Sequence, residues 1–95
     1  MNMNNFLSYL QQLLTMMDPA DLTSRTLAKN ALMSTIALAI SSNKVDPMTH
    51  RMMLAAEVRF DVLLHYRDHF VGVPGELEKN AQKRQRMADV LLPHC

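Results

Sequence analysis

Residues 30–47, NALMSTIALAISSNKVDP, hold the two signals that decide the fold. The first is an absence of charge. Between Lys29 and Lys44 no side chain is ionisable, and Leu32, Met33, Ile36 and Ile40 fall on one strip of a helix. Ala28, Ala31, Ser34, Thr35, Ala37 and Ala39 surround that strip with small groups, while Leu27 and Leu38 lie opposite. A helix apolar nearly all round is expected to be buried nearly all round, so this segment reads as the central helix of the monomer or of an assembly.

The second signal is the closing Asp46-Pro47 pair, which repeats Asp18-Pro19. An aspartate accepts hydrogen bonds from the unpaired amides of a first helical turn, and proline at the first helical position gives up an N–H that had no partner. Residues before proline also avoid α geometry, so each pair ends one helix and starts the next. Met17 and Leu22 have the spacing of a hydrophobic staple across the first start. A third break is Gly72-Val-Pro-Gly75, followed by Glu76 and Glu78, and Pro93 closes the last helix. The expected fold is all-α: a small bundle of about four helices, roughly 4–17, 19–42, 47–70 and 76–92, joined by short turns. Beyond the shared dipeptide the two Asp-Pro segments do not match, so they are convergent caps and not a repeat.

Composition agrees. The chain has 95 residues, enough for one domain with a thin core, and contains nine methionines but only two glycines. β-branched residues form no alternating run. The net charge of +1 gives no global attraction to nucleic acid or to an anionic membrane. No apolar run approaches the roughly 18 residues of a membrane span, and the N-terminal stretch lacks the basic lead of a signal peptide. The single cysteine, Cys95, excludes a disulfide framework and makes a reducing cytoplasm the expected location.

The helices differ in their faces. The first carries one stripe, Phe6, Leu10, Leu13, Leu14 and Met17, and no charge at all between residues 1 and 17. The third has two adjacent apolar faces, one of Met53, Ala56, Phe60, Leu63 and Leu64, the other of Met48, Met52, Ala55, Val62, Tyr66 and Phe70. Together they span about 200°, twice what packing on a core needs. The fourth has a thin stripe, Leu77, Ala81, Ala88 and Leu91, interrupted by Arg84, and residues 76–95 are expected to dock more loosely than the rest.

Glu57, Asp61, His65 and His69 recur every four residues, a spacing at which neighbours on a helix share a metal ion or a proton. On the wheel, however, Glu57, Asp61 and His65 gather with His50 and Asp68 into the only polar strip of that helix, which reads as its wet edge. A metal-binding sensor using Asp61, His65 and His69 is the weaker alternative. Lys79, Lys83, Arg84 and Arg86 offer a second alternative, a nucleic-acid-associated regulator, although no aromatic lies among them and Glu76, Glu78 and Asp89 dilute the charge. No serine stands at a nucleophile elbow and no glycine loop could cradle phosphate, so no catalytic residue, cofactor or small-molecule substrate is expected.

Arg59 and Arg67 sit inside the apolar arc, where a long stem covers apolar surface or an interface arginine meets a partner. The methionine excess has the same two readings, adaptable core filler or adaptable binding surface. The expectation is therefore a non-enzymatic interaction module, an adaptor, chaperone or anti-regulator. It would bind a protein partner or a second copy of itself through Met48, Met52, Arg59, Val62 and Tyr66.

Overall fold

The computed structural model describes residues 1–71 and 81–92. The expected break at 72–75, the acids Glu76 and Glu78, Leu77, Lys79, Pro93, His94 and Cys95 lie outside the described residues. The described chain forms six helical segments and no strand, an all-α bundle. They are α1 (Met3–Met16), α2 (Leu22–Ser41), α3 (Pro47–Val58), α4 (Phe60–His65), α5 (Arg67–Phe70) and α6 (Ala81–Leu91).

α1 starts where the Asn5 N–H donates to the side chain of Asn2 at 2.8 Å. Its stripe is buried as its spacing requires: Phe6, Leu10, Leu14 and Met17 are enclosed, with Leu7 added and Leu13 at the margin. α1 packs against α2, α3, α5 and α6, and it shares the middle of the bundle with α3 and α6.

That corrects the expectation for α2 as the central helix of the monomer. Only Ala28, Leu32 and Ile36 of its twenty residues are buried, and it packs chiefly against α1 and α3 at the edge of the bundle. The physical reason is position. α1 and α3 pack on one edge of α2, which encloses Leu32 and Ile36, whereas Leu27 and Leu38 stand on an edge that no described helix covers. The start of α2 also differs. The Asp18 carboxylate accepts the Ala20 N–H at 3.0 Å and its carbonyl accepts the Asp21 N–H at 3.2 Å, closing a turn before the helix begins. A second aspartate, Asp21, then takes the cap position and accepts the Thr23 N–H. With the start moved to Leu22, the expected staple does not form: Met17 is buried with α1 and Leu22 is exposed. α2 ends at Ser41, and two residues on Asn43, with a φ of 57°, takes the left-handed region that asparagine tolerates better than most residues.

At Asp46-Pro47 no second acid competes, and the cap forms as the dipeptide dictates. The Asp46 carboxylate accepts the Thr49 N–H at 3.3 Å and the Thr49 hydroxyl, with Pro47 opening α3. The single helix expected over 47–70 is bent twice, at Arg59 (φ −102°, ψ 22°) and Tyr66 (φ −98°, ψ 14°). Backbone bonds carry across both bends: Arg59 N–H to the Ala55 carbonyl at 2.8 Å, and Tyr66 N–H to the Val62 carbonyl at 3.1 Å. Neither glycine nor proline causes these bends; each lies at or beside an arginine whose head is fixed to the end of another helix. The bent rod keeps Thr49, Met52, Met53, Ala56, Phe60, Leu63 and Phe70 in the core.

α6 closes the bundle. Met87 and Leu91 are fully enclosed, and the helix packs on α1, α3, α4 and α5. Met87 did not belong to the stripe read from the sequence.

Candidate interaction surface

The five residues expected to form a contact patch are separated by α6. Met48, Val62 and Tyr66 are each between 40% and 48% exposed, whereas Met52 is 2% exposed and belongs to the core. Arg59 is half-buried, and its Nη1 donates to the Val90 carbonyl at 3.1 Å. Met48 and Met52 border α6 on one flank, in a groove of about 570 Å³ shared with Ala88 and Leu92. Tyr66 borders it on the other, beside Phe70, Arg86 and Val90. The chain's own last helix thus lies over the middle of the second apolar face.

The two arginines of the apolar arc have a common role that the sequence reading missed. Arg59 donates to a carbonyl in the last turn of α6. Arg67 donates from Nε to the Leu14 carbonyl at 2.8 Å and from Nη2 to the Thr15 carbonyl at 3.5 Å, in the last turn of α1. The final carbonyls of a helix have no partner within it and carry the negative end of its dipole, so a guanidinium there satisfies both needs. The signal was present in the sequence: α1 and α6 end without a basic residue of their own in the last turn.

The histidine series does not converge. Asp61, His65 and His69 are exposed, and the bend at Tyr66 places its ring between the two imidazoles, 5.0 Å from His65 edge-on and 5.7 Å from His69. Among the described residues no three His, Cys, Asp or Glu side chains are grouped to hold a metal ion. The basic residues of α6 also diverge. Arg84 is half-buried with Nη1 3.5 Å from the Ser8 hydroxyl, Lys83 is half-buried, and Arg86 is exposed on the Tyr66 flank.

Exposed apolar side chains also lie elsewhere, among them those on the outer face of α2. Leu27 is 64% exposed and Leu38 73%, and Ala31 and Ser34 between them are exposed as well. These four follow a 4-3-4 spacing, opposite the buried edge of Ala28, Leu32 and Ile36. Beside Leu27 a groove floored by Leu13, Ala28 and Ala31 runs to Met16, itself 84% exposed. The Thr35 hydroxyl donates to the Tyr9 hydroxyl at 3.0 Å and ties α2 to α1, which carries no charged side chain.

The fold and this face define a small all-α bundle whose outer helix exposes apolar side chains and carries no charge between Lys29 and its end. No protein-family model, curated protein or solved structure matches the chain. No helix among the described residues is long and apolar enough to cross a membrane.

Proposed function

We propose that this protein is a non-enzymatic interaction module, a helical adaptor, chaperone or anti-regulator of the cytoplasm, that works by laying an apolar helix face against another protein chain. The observation that carries the reading is the outer face of α2, where Leu27 and Leu38 stand exposed, Leu38 within a stretch that carries no charge from Asn30 to Asn43. Enclosing a leucine side chain fully is worth about 1.5–3 kcal/mol, so a partner covering this face gains from both. Isolated exposed leucines are ordinary, but here they line up with small residues that let another helix approach closely. The exposed remainder of the expected patch, Met48, Val62 and Tyr66, is divided by α6, and α3 also exposes Leu54 and Val58.

A photoreactive amino acid placed at Leu38, with another at Asp61 on the wet edge as comparison, tests the reading in living cells of the native host. The expected result is a discrete protein adduct from position 38 and none from position 61. Equal, diffuse labelling at both positions would overturn the assignment.

A further inference from the structure

The outer face of α2 also indicates what lies on it. We propose that α2 pairs with the α2 of a second copy of this chain, antiparallel, about a twofold axis passing between residues 32 and 33. This rests on the interaction-module reading and names its partner.

Three features of the chain carry it. The seam is the first. Ser24, Leu27, Ala31, Ser34, Leu38 and Ser41 alternate by three and four residues, the spacing at which two helices stay in contact along their length. About the stated axis the partner's Leu38 stands opposite Leu27, and the partner's Ser34 opposite Ala31. Large meets large at the two ends and small meets small at the centre, which lets the helices cross closely in the middle.

Charge is the second. α2 is uncharged between Lys29 and Lys44, so two copies bring no like charges together across the central seam. The two cations within α2, Arg25 and Lys29, both lie in its first half. Antiparallel pairing keeps them at opposite ends of the seam, alongside the partner's uncharged second half, and opposes the helix dipoles. Parallel pairing would bring the cations of the two copies side by side. The face is therefore complementary to itself in one orientation only.

Area is the third. Twenty residues give α2 a length of about 30 Å, and at a width of about 10–12 Å it offers roughly 300–400 Å². The adjoining groove from Leu27 to Met16 extends this, bringing two copies toward the ~1,000 Å² total that marks the lower limit of a specific interface. An interface of that size makes a reversible dimer and not an obligate one.

The test uses the full chain with Cys95→Ser, so that no native thiol takes part. Sedimentation across about 1 µM to about 1 mM, the range suited to so small an interface, should show a monomer–dimer equilibrium. Ala31→Glu and Ser34→Lys, each at an exposed position, should each weaken it by roughly 100-fold through burial of an unpaired charge. The double variant, which faces each glutamate with the partner's lysine, should recover most of the loss. Orientation is read separately by oxidative cross-linking. A mixture of Leu27→Cys and Leu38→Cys chains should yield the mixed dimer, while Leu38→Cys alone should not link, its sulfurs being about 16 Å apart at 1.5 Å per residue. Self-linking of Leu38→Cys alone would overturn the antiparallel arrangement. A strict monomer throughout would overturn the dimer. If that monomer still gives a discrete adduct to a different protein from position 38, the dimer falls and the interaction module stands.

Discussion

Gln11 offers the sharpest test of how this core is built. It lies on the inner side of α1, 1% exposed, and neither its amide nitrogen nor its amide oxygen has a hydrogen-bond partner among the described residues. An amide buried without a partner costs about 1–3 kcal/mol by mutational measures. Gln11→Met removes both polar atoms while keeping an unbranched side chain of similar reach, and an imperfect fit would take back less than about 1.5 kcal/mol. The net expectation is a gain of about 1–2 kcal/mol. For a domain of this size each kcal/mol moves the midpoint of thermal unfolding by about 4–8 °C, so Tm should rise by about 5–15 °C. Thermal unfolding followed by far-UV circular dichroism, with urea unfolding alongside, measures it. Gln12, the next residue and exposed, is the control: Gln12→Met should change stability by less than about 0.5 kcal/mol. An unchanged or lowered Tm for Gln11→Met would mean that the amide is held by bonds in the folded protein, and the reasoning from an orphaned buried group would fail.

Two further outcomes follow from the helix ends. Arg67→Met keeps the aliphatic stem but removes the donors to the Leu14 and Thr15 carbonyls, and should destabilise the fold by about 1.5–3 kcal/mol in urea unfolding. Asp68→Ala removes only a 3.6 Å ion pair whose acid is 98% exposed and should cost less than about 0.5 kcal/mol; equal effects from the two variants would refute the capping role. At the start of α3, the Thr49 hydroxyl bond, aided by backbone amides, holds the Asp46 carboxyl below its ordinary 3.8. The folded value being the lower one, this contribution is full above the unfolded pKa and is lost as pH falls through the folded pKa. Thr49→Val should raise the Asp46 pKa toward 3.8, read by carboxyl-carbon NMR, and an identical titration in the variant would contradict the assignment.

The class of fold was legible because its determinants are local. The stripe of α1 and the cap at Asp46-Pro47 both depend on residues within one helical turn, and both stand where their spacing puts them. Asp18-Pro19 misled because a dipeptide does not reveal a rival three residues on, and Asp21 took the cap. Within the monomer, α2 misled for a different reason. Hydrophobicity of a segment measures its tolerance for burial, whereas the place it takes depends on which of its edges its neighbours cover. Met87 and Leu91 close the core instead, and no periodicity within α2 could disclose that. The same non-locality hid the roles of Arg59 and Arg67. Their position in an apolar arc was visible, but the carbonyls they serve lie 31 and 53 residues away.

That last separation has a consequence for the order in which the molecule is completed. The C-terminal turn of α1 is finished by a side chain 53 residues downstream. At about 5–20 residues per second, synthesis delivers Arg67 roughly 3–10 s after Leu14. For that interval the nascent chain carries a helix with no charge of its own and open carbonyls at its end. Completion of the α1 terminus thus waits on ribosome speed, and slowing elongation between Leu14 and Arg67 lengthens the wait in proportion.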